Sequence, residues 1–224
     1  MHVLRQLKHR MDARLSKDEV RETYRKFAAT YDLWGSPMES RARARCLEVA
    51  GIRDGESVLE VAVGTGILFE KILRINPNGR NEGMDLTEEM LARARTRARK
   101  SGVSNYVLQA GDAYHLQYPD DTFDVLVNNY MFDLIPEHDF AAILGEFKRV
   151  LRAGGRIVLV NMTQGSNWFN ALWEWLYRYR PSLLGGCRGV EIKPYLEKAG
   201  FEKVEREYVS QLFFPSEVVY GVKP

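Results

Sequence analysis

Short apolar strands alternate with helical segments from Ser57 onward, and this alternation constrains the fold more than any other feature. The strand-like runs of this region lie at 58–61, 81–84, 106–110, 123–128 and 156–161. The helical segments that separate them lie at 67–73, 88–100 and 140–151, and residues 152–155 are predicted to turn the chain into the last of these strands. Strands that alternate with helices predict a parallel sheet with helices packed on both faces.

Two further β-like runs, 202–210 and 217–223, follow a helical segment at 193–199. A short link joins these two runs, which favours an antiparallel pair at the edge of the sheet. The predicted fold is therefore α/β, with a doubly wound, mostly parallel seven-stranded sheet and an antiparallel edge strand. At 224 residues, the chain suits one domain spanning 1–224.

Composition excludes several classes of protein. The 32 Lys and Arg residues nearly balance 30 Asp and Glu residues, so the net charge of +2 does not indicate a nucleic-acid partner. Cys46 and Cys187 lie far apart and form no metal-ligand or redox motif, and the histidines have no metal-ligand spacing either. No apolar run approaches the ~20 residues of a membrane-spanning helix. No secretory signal is recognisable, so a cytoplasmic location is expected.

The first strand leads into a glycine turn, Gly64-Thr65-Gly66. In a sheet of this kind, ligands bind outside the carboxyl ends of the strands, and glycines let the backbone approach a ligand closely. A dinucleotide site requires a third small residue where this chain has Phe69. The turn therefore matches a dinucleotide motif poorly.

Three acidic residues stand at the ends of three successive strands: Glu60, Asp85 and Asp112. Glu60 is suited to an ammonium group and repels a pyrophosphate. Asp85 can accept the hydroxyls of a ribose, and Asp112 is placed for an adenine amino group. Together they fit S-adenosylmethionine. Taken singly, Glu60 is equally an ordinary strand-end residue, Asp85 a helix N-cap and Asp112 an Asx-turn residue.

Several segments in order resemble class I S-adenosylmethionine-dependent methyltransferases. They are VLEVAVGTG at 58–66, GMDLT at 83–87 with Met90-Leu91, GDA at 111–113, and the stretch from FDV at 123–125 through LRAGGR at 151–156. Ala62 departs from the family, which usually has glycine there; we expect tighter packing without loss of binding. The cofactor residues that this resemblance implies are Glu60, Ala62, Gly64, Thr65, Gly66, Asp85, Leu86, Met90, Gly111, Asp112, Ala113 and Asn128.

Within that superfamily, the chain looks most like ubiquinone and menaquinone C-methyltransferases and phospholipid N-methyltransferases. Tyr24 and FAATYD at 27–32 carry this resemblance, together with 58–66. The residue pattern predicts helices at 2–15, 16–30 and 41–50. The resemblance implies that these N-terminal helices within 1–50 cap the cofactor site. Tyr31 is the position that closes over the cofactor, and Tyr24 is an alternative that we assign to the acceptor side.

The segment after the fourth strand carries the residues expected to face the acceptor. Asn129 is predicted to bind it, and Asp133 is the candidate catalytic residue, able to take a proton or attract an amine. A cap or loop role for Asp133 before Pro136 is an equally good interpretation.

An aromatic helical insertion at about 164–190 is the candidate acceptor pocket, through Trp168 and Trp173. The alternative is a buried helix of a small subdomain. This helix and a cationic amphipathic helix at 2–15 also suit peripheral contact with the inner membrane surface.

The sequence thus predicts methyl transfer from S-adenosylmethionine to a small hydrophobic or amphiphilic acceptor, such as a quinone precursor or a phospholipid amine. A soluble metabolite is the next choice of acceptor. The rival classes are a nicotinamide-dependent oxidoreductase and a non-catalytic cofactor-binding subunit. No metal is expected.

Overall fold

The structure is a computed structural model that describes residues 31–163, 188–212 and 214–224, with side chains from Met38 onward. The predicted helices at 2–15 and 16–30, Tyr24, and the aromatic helix with Trp168 and Trp173 lie outside the described residues. For Tyr31, the structure gives the backbone.

The described elements follow the predicted alternation. The α-helices are α1 (Tyr31–Ala50), α2 (Ile67–Ile75), α3 (Glu88–Ala98), α4 (Phe140–Val150) and α5 (Lys193–Lys198). The strands are β1 (Ser57–Val61), β2 (Arg80–Asp85), β3 (Tyr106–Ala110), β4 (Phe123–Asn129), β5 (Leu151–Met162), β6 (Glu202–Gln211) and β7 (Phe214–Val222). Single 3₁₀ turns lie at Arg99–Ser101, Phe132–Leu134 and Glu137–Asp139.

The seven strands form one sheet in the order β3-β2-β1-β4-β5-β7-β6. The first five in this order are parallel, and β7 is antiparallel to both β5 and β6. The predicted fold class is confirmed, with the antiparallel strand β7 inserted between β5 and β6. The order reverses between β1 and β4, so the carboxyl ends of these strands flank the ligand-binding crevice of this type of sheet.

Apolar clusters pack against both faces of the sheet. On one face, α1 buries a stripe of small residues, Ala42, Cys46 and Ala50, against β4 and β5. Because these residues are three or four positions apart, they share one side of the helix, and their small size lets the helix lie close to the strands. On the other face, α4 buries residues such as Phe140 and Phe147. Each such ring contributes about 1.5–3 kcal/mol by leaving water.

Two boundaries differ from the sequence prediction. Helix α1 was expected to begin at Arg41 and instead begins at Tyr31, passing through Gly35 and Pro37. Residues 152–155 were expected to turn the chain and instead belong to β5. Backbone bonds with Lys223, from Gly154 N to Lys223 O and from Lys223 N to Gly155 O, keep this segment in the sheet at 2.9 Å each.

Ala62, directly after β1, has a left-handed backbone with φ of 59°. This conformation costs a non-glycine residue about 1–2 kcal/mol. The methyl group is half-buried and packs against the core cluster on the α4 face. The position where the family usually has glycine is therefore one where glycine relieves strain.

We predict that Ala62→Gly stabilises the fold. Relief of strain outweighs the larger unfolded-state entropy of glycine, for a net gain of about 0.5–1 kcal/mol. Differential scanning calorimetry measures the change. Ala110→Gly is the matched control at an exposed strand position, and it should lose about 0.5–1 kcal/mol. A lower melting temperature for Ala62→Gly would show that the methyl packing matters more than the backbone strain.

Candidate active site

The loop after β1 is shaped by two glycines with different surroundings. Gly64 and Gly66 both have left-handed backbones, with φ of 56° and 81°. A Cβ at Gly66 would lie 2.8 Å from Ala94 Cα, so this glycine lets the start of α2 approach α3. A Cβ at Gly64 would meet nothing within 4 Å. The backbone at Gly64 therefore faces open space in which a ligand can approach it closely.

Asp85, the last residue of β2, holds this loop in place. Its Oδ2 accepts a hydrogen bond from Gly64 N at 2.8 Å, and its Oδ1 accepts bonds from the Thr87 backbone and hydroxyl at 3.0 and 3.1 Å. Thr87, not Asp85, is the N-cap residue of α3. Burial raises the pKa of Asp85, while these bonds oppose the rise. A carboxylate offers about four lone-pair sites, so Asp85 can also accept ribose hydroxyls.

Glu60 is buried near the end of β1, with 2% of its surface exposed. Its Oε2 has no hydrogen-bond partner in the described residues. Burial raises the pKa of Glu60 well above its usual range. The positive charge of Arg43 lowers this pKa, and the charge of Asp85 raises it further. A buried acid with a free acceptor atom requires a cationic or donor partner. An ammonium group meets that requirement.

Asp112 lies after β3, in the loop that the sequence assigns to adenine. Tyr114 N donates to its Oδ1 at 3.2 Å, which is the predicted Asx-turn geometry. Gly111 N donates to Asp85 O at 3.0 Å, so this loop is joined to the end of β2. A Cβ at Gly111 would lie 2.4 Å from Met84 Cε, so a larger residue here would displace the end of the Met84 side chain. Ala113 is half-buried against the core.

The remaining predicted cofactor residues are distributed around this edge. Thr65 and Met90 are buried, Leu86 is half-buried, and Thr65 O accepts a bond from Arg97 at 3.1 Å. Asn128, at the end of β4, is fully buried and donates to Val61 O at 2.8 Å. Its Oδ1 has no partner among the described residues. Asn128 thus ties β4 to β1 and keeps one acceptor available.

Asn129 and Asp133 follow on the acceptor side. Asn129 is half-buried beside the Cys46 thiol. Asp133, in the 3₁₀ turn after β4, is fully buried, and neither carboxyl oxygen has a hydrogen-bond partner in the described part of the chain. Burial raises the pKa of Asp133 to about 7, and the charge of Glu39 adds to this effect; weak contacts with the backbone N–H groups of Asp133 and Met162, which fall short of hydrogen-bond geometry, and the charge of Arg188 oppose it. Asp133 caps no α-helix in the described structure.

Sequence reasoning missed a group of buried charged residues beside Asp133 and Glu60. They are Glu39, Arg43 and Arg188, exposed by 6%, 6% and 3%. Glu39 and Arg43 form an ion pair one turn apart on α1. The sequence does contain a signal for Glu39 and Arg43. Positions 39, 43, 46 and 50 are three or four residues apart, so they extend the buried side of α1 toward the start of this helix. Arg43 was masked by its neighbours Arg41 and Arg45, which suggest a solvated face.

The described geometry brings Glu60, Gly64, Asp85 and Asn128 to one edge of the sheet, with Asp112 one loop away. The free Oε2 of Glu60 and the open space at Gly64 fit the amino-acid end of S-adenosylmethionine. The described residues include no group of three or more metal-ligating side chains that could hold a metal ion.

Comparison with known proteins indicates the family to which the chain is related. A methyltransferase domain model matches residues 58–155. A ubiquinone/menaquinone biosynthesis C-methyltransferase of Saccharophagus degradans is 32% identical over 160 residues, covering 67% of this chain and 64% of that protein. A phosphatidylethanolamine N-methyltransferase of Cereibacter sphaeroides is 34% identical over 148 residues, covering 64% of this chain and 68% of that protein.

The fold is shared with a solved structure. An N-methyltransferase of Bradyrhizobium japonicum, solved with S-adenosyl-L-homocysteine, aligns with a TM-score of 0.73 at 16% identity, covering 92% of this chain and 98% of that chain. The chain belongs to the S-adenosylmethionine-dependent methyltransferases. The predicted enzyme class and cofactor are confirmed. The roles assigned to single residues of this methyltransferase stay predictions.

We predict that alanine at the two loop glycines separates stability from cofactor binding. Both substitutions strain a left-handed backbone by about 1–2 kcal/mol, and Gly66→Ala adds a clash with Ala94. Gly66→Ala should therefore lower the melting temperature more, whereas Gly64→Ala should lose more affinity for S-adenosylhomocysteine. Calorimetry and titration measure the two effects. Wild-type affinity in Gly64→Ala would place the cofactor elsewhere.

Proposed function

We propose that this methyltransferase transfers the methyl group of S-adenosylmethionine to a small hydrophobic or amphiphilic acceptor, with Asp133 receiving a proton from the attacking group. The observation that carries this proposal is the fully buried Asp133 carboxyl, which has no hydrogen-bond partner in the described residues. It follows β4, whose preceding residues Asn128 and Asn129 border the cofactor edge.

The environment of Asp133 suits a general base. A base is most effective when its pKa is close to the working pH, and burial brings the pKa of this carboxyl to about 7. The charge of Glu39 discourages a second negative charge nearby, so the carboxyl holds a proton readily once it receives one. Arg188 limits the rise and keeps the ionised form accessible near neutrality.

Bound S-adenosylmethionine supplies a methyl group on a positively charged sulfur. A bond forms between the acceptor atom and the methyl carbon, the sulfur–methyl bond breaks, and its electron pair stays on sulfur. Asp133 takes the proton that the acceptor loses, either from an attacking amine nitrogen or from a ring hydroxyl whose ionisation makes the neighbouring ring carbon the attacking atom. In the second case the hydrogen on that carbon then moves to the oxygen, which restores the aromatic ring. Holding the reactants in line in a dry site supplies the remaining acceleration.

An apolar acceptor body is supported by the surroundings of Asp133. Phe132 and Phe140 stack edge-to-face beside it with ring centroids 5.0 Å apart, and the core on the α4 face continues from them. The aromatic residues Trp168 and Trp173, outside the described residues, are proposed to complete the acceptor pocket, together with Tyr24 and Asn129.

The acceptor atom differs between the two relatives, one a C-methyltransferase of quinones and the other an N-methyltransferase of a phospholipid. A hydroxylated ring of a quinone precursor is the first choice because it has a proton to give to Asp133. A phospholipid amine is the second choice, favoured by the two neighbouring carboxyls of Glu39 and Asp133.

Contact with a membrane is part of the proposal through the segments 2–15 and 167–179. Such contact gives an amphiphilic acceptor a route to the site. In the part of the chain that the structure describes, no helix is long and apolar enough to cross a bilayer. On the strength of the segments 2–15 and 167–179, a peripheral position at the inner membrane surface is the proposed arrangement.

We predict that S-adenosylmethionine and S-adenosylhomocysteine raise the melting temperature and NAD does not. A ligand that binds only the folded state stabilises it by about 2.7 kcal/mol at a hundredfold excess over its Kd. Thermal scans at matched ligand concentrations measure this. Stabilisation by NAD alone would reject the proposed cofactor.

We predict that demethylmenaquinol becomes labelled when it is incubated with enzyme and methyl-labelled S-adenosylmethionine. Phosphatidylethanolamine is the second acceptor in the same assay, and a soluble phenol without an apolar tail is the control. Product extraction and mass spectrometry identify the methylated atom. Labelling of the soluble phenol alone would overturn the amphiphilic class of acceptor.

We predict that Asp133→Asn removes the acidic limb of the pH profile. In the wild type, kcat/KM should rise with pH up to about 7, where Asp133 ionises. The variant should lose about 10²-fold or more in kcat/KM and show no such limb. Asp120→Asn, at an exposed site, is the control and should keep the wild-type profile.

A stability measurement checks the same group without an acceptor. Because the folded-state pKa is raised above the ordinary value of about 4, Asp133 stabilises the fold at low pH. This contribution is lost as the pH rises from about 4 through about 7. Urea unfolding across this range should show a weaker pH dependence for Asp133→Asn. Equal pH dependence in both proteins would contradict the assigned ionisation.

A further inference from the structure

Two buried residues of opposite charge meet at the carboxyl edge of the sheet, and each has an atom without a partner. Arg43 comes from α1 and Glu60 from β1, with 6% and 2% of their surfaces exposed. Within the described residues, Arg43 Nη1 and Glu60 Oε2 have no hydrogen-bond partner. An unsatisfied buried donor or acceptor costs about 1–3 kcal/mol. Two such atoms in one place indicate a ligand with complementary groups.

The position of Arg43 is fixed independently of Glu60. Its Nη2 is bound to the Glu39 carboxylate one turn earlier, and its guanidinium lies 6.0 Å from the centre of the Tyr130 ring. One turn later, Cys46 is fully buried beside Asn129 at the end of β4. The guanidinium is therefore held over the ends of β1 and β4 with one of its nitrogens unused.

The charges suit a zwitterion. Glu39 already neutralises one side of Arg43, and the charge of Arg43 favours the ionised form of Glu60. An ammonium group beside Glu60 and a carboxylate beside Arg43 would satisfy both free atoms and leave the local net charge unchanged. The amino-acid end of S-adenosylmethionine carries this pair of groups on a single carbon.

We propose that Arg43 is a positioning residue that binds the carboxylate of the cofactor, next to Glu60, which binds its ammonium group. The inference rests on the proposed function, since it takes S-adenosylmethionine as the ligand. Other described cations near the site have different contacts. Arg97 donates to Thr65 O. Arg188 also has buried nitrogens without a hydrogen-bond partner among the described residues, but it lies beside Asp133, donates to Ile135 O and pairs with Glu137 at 3.7 Å.

The assignment makes α1 part of the cofactor site. The helix packs on β4, β5 and β7, and its docking brings Arg43 to the carboxylate. Binding of the amino-acid end of the cofactor should therefore stabilise the docked position of α1. Ligands that lack the amino-acid end should not stabilise it.

Three ligands separate the two charged contacts. S-adenosylmethionine has both the ammonium and the carboxylate, its decarboxylated analogue keeps only the ammonium, and 5′-methylthioadenosine has neither. Isothermal titration calorimetry gives the Kd of each ligand for the wild type and the variants. Arg43→Gln removes the charge, and Arg45→Gln is the matched control on the exposed side of α1, where Arg45 pairs with Glu48 and Glu207.

The expected result is selective. Arg43→Gln should weaken S-adenosylmethionine by about 10–100-fold, as for a lost charge-assisted bond. The affinity for 5′-methylthioadenosine should stay within about threefold, because this ligand makes no charged contact here. The decarboxylated analogue should not be weakened. Arg45→Gln should bind all three ligands like the wild type.

Two outcomes would overturn the assignment: unchanged affinity for S-adenosylmethionine in Arg43→Gln, or an equal loss for all three ligands. If Arg43→Gln unfolds because Glu39 is left buried without its partner, the double variant Glu39→Gln, Arg43→Gln removes that charge and is judged by the same criterion. Failure of the wild type to bind any of the three ligands would instead reject the proposed function itself.

Discussion

Burial of acidic side chains at the carboxyl edge of the sheet is the constraint on which the rest of this structure depends. Glu60, Asp85 and Asp133 are all withdrawn from water, and burial raises the pKa of each. Asp85 is stabilised by three hydrogen bonds from the chain. Glu60 and Asp133 keep unpartnered oxygens within the described structure. The protein thus keeps buried acceptor atoms at the edge of the sheet where the cofactor and the methyl acceptor are proposed to bind.

Most strands could be predicted from the sequence because their signals are local. The strand at 106–110 has the predicted bounds, and β1 and β4 begin and end within a residue of expectation. The glycine turn and the acids at strand ends were recognisable because a parallel sheet brings all its carboxyl ends to one edge. The family resemblance then assigned the cofactor.

The errors came from features decided at long range. The Gly-Gly segment before Arg156 was expected to turn, yet Lys223, far along the chain, pairs with it and keeps it in β5. Gly35 and Pro37 interrupt the helical pattern of α1, but the helix passes through both. The burial of Arg43 and Asp133 depends on which elements pack together, and local sequence patterns carry no information about that packing.

The insertion of β7 between β5 and β6 has a consequence for the order of folding. Strand β6 precedes β7 in the chain, so β5 keeps an open apolar edge while β6 is already available to pair with it. β6 is dense in charge, with Glu202, Lys203, Glu205, Arg206 and Glu207, and burying it beside β5 would desolvate these groups. This desolvation cost disfavours pairing of β6 with β5. The edge of β5 therefore stays available for the apolar strand β7, which is synthesised later.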